Sequence, residues 1–493
     1  MRPSPLHTSK AILQLGILVG LGIGWYEWQI ELNKHDFDFP RTFGGQWHRL
    51  AGAGYRFDDN QRYLNIYHVP VGAMYYQTGR VYGGDMTRAF VLNLATSSLW
   101  EVVVEHREVI SINDQINTVV AGTSLGEALY RIGDVFARSK PTFMNRVLTT
   151  VASPMRLGAW LAGEAPTRSG TFDARGGEES SLFHRFEISL GGVATMGAAA
   201  WAANQHGGWA ATARGAFEVI ALPGYASTET AERDAFVRTT AALRGGELTR
   251  LVVEYTGTDS SFRAFELVAR TSVFGRFDRT AVIGPQGMYA KNRVLALASG
   301  YELSFNRMGG VTDFLSLVHV IGPTADFRWS SNRLSLRAAA NAYGDFAMVR
   351  PIAIAGGNTP ETLARTKSTL ANEQYYYGWG GTAEVRLELA YGRLRAGATL
   401  EWNHIDSIEG LDRHQNAYVS PTGVEHAAVA DDSNVTDDRL RARLFFDFPI
   451  PFANSVSVGM VGEVIYRRGD WEARNLTAER EDRRATICLT YTL

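Results

Sequence analysis

The C-terminal stretch Arg483-Arg484-Ala485-Thr486-Ile487-Cys488-Leu489-Thr490-Tyr491-Thr492-Leu493 puts Ala485, Ile487, Leu489, Tyr491 and Leu493 on one parity. Arg484, Thr486, Cys488, Thr490 and Thr492 fall on the other. Successive side chains of a β-strand point to opposite faces, so this period of two reads as a strand with one apolar and one polar face. The pattern recurs upstream. Ala383, Val385, Leu387 and Leu389 alternate with Thr382, Glu384, Arg386 and Glu388. After Tyr391-Gly392, a second run sets Leu394, Ala396, Ala398, Leu400 and Trp402 against Arg393, Arg395, Thr399, Glu401 and Asn403. The two runs predict a hairpin with a tight turn.

Leu334 to Ala342 alternates against Arg333, Ser335, Arg337 and Asn341, and Leu440 to Phe448 against Arg439, Arg441, Arg443 and Asp447. Further strands are expected at 182–191, 212–222, 235–244, 247–256, 294–306, 312–321 and 454–466. Spacing predicts about 12 strands, with about 10–14 accommodated, joined by alternating short and long loops.

Parity does not say which face is inside. A soluble barrel turns its apolar face inward, whereas an outer-membrane barrel turns it to lipid. Three features favour lipid. The runs reach about 10 residues, the length of a tilted membrane strand. Their polar faces carry Arg and Glu of both signs, which a lumen can hold as cross-strand pairs. The chain also closes on a strand with an aromatic residue two from its end.

Composition agrees. The 493 residues are 45% hydrophobic, 11% aromatic and 20% charged, with 50 Gly and a net charge of −2. That excludes a disordered chain and leaves no global positive field for nucleic acid. A single Cys excludes a disulfide framework and multi-cysteine metal sites, and no cofactor is expected. Mean hydropathy of −0.13 excludes a polytopic helical membrane protein but fits alternating strands, whose two faces cancel.

Residues 1–30 hold the only long apolar run, 11–24, preceded by Arg2 and Lys10. It resembles an export signal without a small-residue cleavage site, and as a spanning helix it falls short of about 20 residues. It is either an atypical signal or a first helix of the mature chain. Residues 31–162 read as a helical domain, periplasmic or plugging the barrel. Helical periodicity covers Val71 to Val81 and Phe90 to Glu105, and Asn113-Asp114 opens a helix from Gln115 to Ala137. Residues 163–181 are a linker by composition, and 182–493 form the barrel. The expected class is α+β overall: a mainly antiparallel transmembrane β-barrel preceded by helices.

Gly122 and Gly126 lie four apart, allowing close helix–helix approach. With Ser124 they also spell Gly-x-Ser-x-Gly, but a nucleophile elbow needs surrounding βαβ units, which the chain lacks, so chance explains the match. Glu101 and Glu105 share a helical face, with His68, Arg80 and Arg131 as available partners and Asp114 and Asn117 following. One reading is hydrolytic: His68 as general base, Glu101 or Asp114 orienting it, Ser111 as nucleophile. A variant has His68 and the carboxylates binding a divalent cation. The plainer reading is a structural network, in which Ser111 and Asp114 cap a helix start. The remaining histidines form no ligand-spaced pair; His404 and His414, among Asn403, Asp406, Glu409 and Asp412, read as an acidic loop.

Residues 56–135 resemble an uncharacterised bacterial outer-membrane family, known as a domain of unknown function, that joins a helical segment to a C-terminal barrel. The resemblance is carried by Phe57-Asp58-Asp59-Asn60, Asn65, His68-Val69-Pro70, Gly72, Tyr75-Tyr76, Arg80 and Gly83. It continues through Ser98, Trp100-Glu101, Glu105, Ser111-Ile112-Asn113-Asp114, Gly122, Gly126-Glu127 and Arg131. The family usually has Pro directly after the His and before the Ser-x-x-Asp; Val69 and Ile110 stand there instead. The resemblance implies that a helix like 9–30 belongs to the mature chain, and it implies no activity.

The expected location is therefore the bacterial outer membrane, with its lipids and the barrel-assembly machinery as partners. No nucleic acid is expected; a lipid or small-molecule ligand is compatible. Arg333, Arg337, Arg386, Arg393, Arg395, Arg439, Arg441 and Arg443 are expected to face the lumen, paired with Glu so that the lumen is filled. The expected role is structural, envelope maintenance, or handling of small solutes or lipid. The alternative is a lipid- or lipopolysaccharide-modifying hydrolase.

Overall fold

The computed structural model describes residues 7–33, 39, 41–58, 62–140, 142–164, 183–196, 209–223, 225, 236–258, 262–284, 287–308, 311–355, 369–408, 411, 434–453, 455–472 and 475–492. They divide into two compact units. One comprises 1–169, 359–377 and 407–434; the other comprises 170–358, 378–406 and 435–493.

In the second unit, thirteen strand segments among the described residues make one antiparallel sheet. Taken with the short β1 and β2 below, they are β3 (Phe183–Met196), β4 (Trp209–Ile220), β5 (Phe236–Leu243), β6 (Leu248–Gly257), β7 (Phe262–Gly284), β8 (Gly287–Met308) and β9 (Val311–Ser330). They continue as β10 (Leu334–Val349), β11 (Tyr376–Tyr391), β12 (Leu394–Ser407), β13 (Val435–Pro449), β14 (Val456–Trp471) and β15 (Leu476–Thr492). The ladder runs β7-β6-β4-β3-β15-β14-β13-β12-β11-β10-β9-β8 and returns to β7, closing a twelve-strand barrel.

β5 and β6 lie end to end along β7, on 275–282 and 262–271 respectively, and so form one wall position. Between them Gly245 (φ 113°) and Gly246 (φ 79°) adopt conformations that L side chains avoid. The Glu247 carboxylate accepts from the backbone N–H of Arg244 and Gly245, and β7 answers with a bulge at Ser272/Phe274. Extra backbone on one strand matches the kink on its neighbour.

The barrel is apolar outside and polar inside. On β15, Ile487 and Leu489 are 51% and 56% exposed, while Cys488 and Thr490 are 8% and 4% exposed. Val385, Leu387 and Leu389 on β11 and Leu444, Phe446 and Phe448 on β13 are likewise exposed. Glu384, Arg386, Glu401, Arg439 and Arg441 are buried. That is the reverse of a soluble barrel. The expected hairpin forms with the two-residue turn Gly392-Arg393.

The helical unit contains α1 (Thr8–Asn33), α2 (Phe43–His48), α3 (Arg62–Val81), α4 (Met86–Leu99), α5 (Ile112–Gln115), α6 (Gly122–Arg138), α7 (Phe143–Ala152) and α8 (Met155–Leu161). A short parallel pair, β1 (Tyr55–Arg56) and β2 (Ile110–Ser111), accompanies them. Three segments, Arg49–Ala53, Trp100–Val104 and Ile116–Ala121, wind as wider π-turns. The apolar run 11–24 is part of a 26-residue helix because Trp25 to Asn33 continue it. Its Thr8–Trp28 portion is long and apolar enough to cross a membrane, correcting the shorter span expected from sequence.

α3 starts at Arg62, nine residues before the expected start, and carries Pro70 within it. α3 and α6 touch at Gly72, Gly122 and Gly126: a Cβ at Gly72 would stand 1.8 Å from the Thr118 carbonyl oxygen, and one at Gly122 would stand 2.7 Å from Gly72 Cα. The glycine pair thus serves close packing within the chain.

Candidate functional site

The polar residues singled out from sequence fall into two networks of the helical unit. The first is organised by the turn into α5. Ser111 is its N-cap: Ser111 Oγ accepts from the Asp114 backbone N–H (3.2 Å) and donates to Asn113 Oδ1 (3.0 Å). The Ser111 backbone N–H donates to Glu101 Oε2 at 3.0 Å. Asn113 Nδ2 donates to Asp114 Oδ1 (3.0 Å) and to Asn65 Oδ1 (2.7 Å), and Asn65 Nδ2 reaches the hydroxyls of Tyr375 (3.0 Å) and Tyr377 (2.9 Å). Tyr377 stacks on Phe57 and donates to the Asp58 carbonyl, and Asn113 Oδ1 accepts from the Asp58 N–H.

His68 Nδ1 lies 2.9 Å from Asp114 Oδ1, a charge contact rather than an aligned hydrogen bond. Burial alone would lower the His68 pKa, but Asp114 outweighs it and holds the imidazole above its ordinary value. Glu105 Oε1 accepts from Trp100 Nε1 at 2.7 Å. Burial, then Glu108 and Asp114, push the Glu105 carboxyl up to about 8. Burial, then Glu105 and Asp114, raise Glu101 well above its ordinary range.

Arg49 is the cation sequence reasoning missed here. Fully buried, it donates to the carbonyl oxygens of Glu101 (2.6 Å), Glu105 (3.0 Å) and Glu108 (2.5 Å), closing the π-turn after α4. It serves carbonyls, so the carboxylates keep their mutual repulsion.

The second network centres on Glu127, fully buried in α6. Its carboxylate accepts from Tyr76 Oη (2.7 Å), Arg80 Nε (2.8 Å), Arg80 Nη2 (3.1 Å) and Arg131 Nε (2.7 Å). Burial alone would raise its pKa, but Arg80 and Arg131 pull it below the usual value. The Arg80 and Arg156 guanidinium groups both lie over the Tyr130 ring, at 4.5 and 4.7 Å from its centroid, and Arg156 pairs with Asp134 at 2.9 Å.

The structure therefore brings His68, Glu101, Glu105, Ser111 and Asp114 into one neighbourhood but hands Arg80 and Arg131 to Glu127. That corrects their expected pairing with Glu101 and Glu105: on α3 and α6 they flank Glu127. Ser111 Oγ is engaged as a cap, bonded to Asn113 Oδ1 and the Asp114 backbone N–H. Among the described residues no group of three or more His, Cys, Asp or Glu side chains is arranged to hold a metal ion. Ser124 Oγ bonds back to the Val120 carbonyl inside a helix, and no elbow exists there.

Of the remaining motif residues, Asn65 sits in the first network and Tyr76 and Glu127 in the second. Tyr75 is buried, Trp100 meets Tyr26 edge-on, Pro70 is exposed, and Gly122 and Gly126 form the helix contact. Asn60 lies outside the described residues, as do His414, Glu409 and Asp412. Asn403, His404 and Asp406 stand in β12 rather than in a loop, with His404 Nδ1 2.9 Å from Asp438 on β13.

In the barrel, Arg337 pairs with Asp326 (2.6 Å) and Glu218 (2.8 Å), Arg395 with Glu187 (2.5 Å) and Asp447 (2.7 Å), and Arg439 with Glu302 (2.8 Å). Arg441 grips Glu266 through two bonds of 2.6 Å and also reaches Glu463; Arg443 meets Glu254 at 3.3 Å, and Arg386 meets Glu388 at 3.8 Å. Arg270, not foreseen, sits among Glu302, Glu384 and Glu401. Arg333 and Arg393 are placed differently: they lie exposed in the β9–β10 and β11–β12 turns, because their alternating runs begin one residue later. Fully buried His319 faces Asp345 at 2.7 Å and stacks on Tyr343, a contact between strands that no local spacing announces.

Residues 54–155 match the family DUF3943, described as a domain of unknown function. The matched residues lie in the helical unit. No curated protein matches the chain. Solved structures similar to it include a loop-deletion mutant of OmpT, an outer membrane protein of Vibrio cholerae (9% identity, 63% of this chain and 99% of that one, TM-score 0.22). Others are the outer membrane channel DcaP of Acinetobacter baumannii (9%, 63% and 97%, TM-score 0.20) and the outer membrane protease OmpT from Escherichia coli (12%, 64% and 98%, TM-score 0.16). At these TM-scores the barrel rests on its own strand ladder.

Proposed function

We propose that the chain is a lipid-embedded outer-membrane barrel whose lumen is closed by ion pairs, serving the envelope as a structural or lipid-handling protein rather than as an open pore. One observation carries this reading: the barrel is inside out, with Leu387, Leu389, Leu444, Ile487 and Leu489 outward and exposed while arginines and glutamates are buried within. Exposed apolar surface of this extent is costly in water and neutral in lipid. The inward charges bond to one another across the barrel, so Arg270 and Arg441 each tie carboxylates of two or more strands. Membrane lipids as its solvent and the barrel-assembly machinery as its insertion partner belong to the same reading.

Purified full-length protein, reconstituted in planar lipid bilayers, is expected to give no steady conductance steps. Regular, ohmic, porin-like steps would overturn the closed lumen.

The contact of His68 with Asp114 supports a second reading, a hydrolase acting on lipid or lipopolysaccharide, with Glu101, Glu105 and Ser111 nearby. On that reading His68→Ala abolishes lipid turnover while the heat-modifiable gel mobility of the barrel is kept. Turnover that is absent in the wild type, or unchanged in the variant, removes it.

A further inference from the structure

One inward arginine of the barrel unit stands apart from the pairing described above. Among the described residues, eight arginines and seven carboxylates line a central cavity of about 120 Å³. A second cavity of about 60 Å³, which shares Arg250, Arg270, Glu384 and Arg386 with the first, is lined by four arginines and three carboxylates. Each lining therefore carries one arginine in excess, and Arg250 belongs to both. Seven of the eight arginines on the central lining pair with a carboxylate at 4.0 Å or less. Among the described residues Arg250 has no such partner and makes no hydrogen bond through its guanidinium.

Strand register explains the isolation. β6 sets Arg250 directly opposite Glu218 of β4 and Arg270 of β7. Glu218 is turned to Arg337, which lies 2.8 Å from Oε1 and 2.9 Å from Oε2. Glu384 is the carboxylate whose charge acts on Arg250, and both its oxygens are engaged: Oε2 by Arg270, Oε1 by Asn341 at 3.2 Å. Arg386, Arg270 and Arg214 act on Arg250 with its own sign. On the central lining, the buried Nε–H groups of Arg214 and Arg386 also lack a hydrogen-bond acceptor among the described residues. A guanidinium inside the wall without a counter-charge is costly, and these donors offer a negative charge a low-dielectric seat.

We infer that the central cavity binds one small monovalent anion, of chloride size, against Arg250. One negative charge cancels a surplus of one, whereas a divalent anion would overshoot it. At about 30 Å³ of liquid volume per water, the cavity has room for such an ion with a few waters. The inference rests on the reading of a lumen filled by ion pairs, to which it supplies the last counter-ion. Chloride-dependent stability reads it, and conductance reads the closed lumen, so the two fail separately.

The test uses purified full-length protein folded in a non-ionic detergent and heated in sodium gluconate that is progressively replaced by sodium chloride at constant ionic strength. The temperature at which the folded gel mobility is lost is expected to rise by a few degrees and to saturate, as for a ligand bound only by the folded state. Arg250→Met is expected to fold, because no carboxylate loses its partner, and to lose the rise. Arg276→Met, at an exposed arginine outside both linings, is expected to keep it. No saturable rise in the wild type, an equal rise in Arg250→Met, or failure of Arg250→Met to fold overturns the site.

Discussion

Glu127→Ala is expected to unfold the helical unit while the barrel keeps its heat-modifiable mobility. The variant leaves Arg80 and Arg131 facing a void instead of a carboxylate, and removing one partner of a buried ion pair costs about 3–5 kcal/mol. The same carboxylate sets an acid limit. Its pKa is depressed in the folded unit, so its stabilisation is present above the ordinary value of 4.5 and is lost as pH falls through the depressed value. Glu105 acts in the opposite sense. Held up to about 8, it binds its proton more readily folded than unfolded. It therefore costs stability as pH rises from 4.5, and that cost is complete above about 8. The helical unit is thus expected to be most stable near pH 4.5, above the acid limb of Glu127 and before the cost of Glu105 accrues, as read by near-ultraviolet circular dichroism across pH. An unchanged melting curve of the helical unit in Glu127→Ala would contradict the role given to this carboxylate.

Gly72→Ala is the second large effect. The new Cβ meets the backbone of Thr118, which cannot rotate away as a side-chain tip can, so α3 must separate from the π-turn Ile116–Ala121 that leads into α6. Overpacking of this kind costs about 1–3 kcal/mol and occasionally more; the 1.8 Å approach places Gly72 at the upper end. Gly16→Ala, where nothing lies within 4 Å, is the helix-propensity control and should not destabilise. Limited proteolysis of the helical unit reads both. Equal resistance of Gly72→Ala and the wild type would show that the two helices are not held at this contact.

The barrel was legible wherever alternation ran unbroken, as in β15, β11, β12 and β13. β7 was not foreseen, and its sequence says why. Glu266, Arg270 and Ser272 share an even parity, whereas Phe277, Arg279 and Ala281 are buried on the odd one. The bulge at Ser272/Phe274 flips the phase midway, so neither half reaches far enough alone. β9 likewise runs through Pro323, which reads as a stop but sits in an extended strand beside a register shift of β8.

In the helical unit, a period of 3.6 cannot find π-turns, and the first polar network draws Arg49 and Glu101 from two of them. Gly126-Glu127 and Arg131 were visible as residues, but their union with Arg80 needed the α3–α6 contact that Gly72 permits. The partners of Asn65 were out of reach for another reason: Tyr375 and Tyr377 lie some three hundred positions away in sequence. Arg49 carries no local signature, since a cap on distant carbonyls looks like any surface arginine until the chain is folded.

The central claim is that the apolar face of the barrel meets lipid. With Cys488→Ser as background, spin labels placed singly at Leu387, Glu388 and Leu389 of the protein in lipid vesicles test it by collision with oxygen and with a water-soluble nickel chelate. The labels at Leu387 and Leu389 are expected to collide with oxygen and to be shielded from nickel, while the label at Glu388 is poorly accessible to oxygen. Nickel accessibility at Leu387 and Leu389 equal to that of a label in water would contradict a lipid-facing barrel.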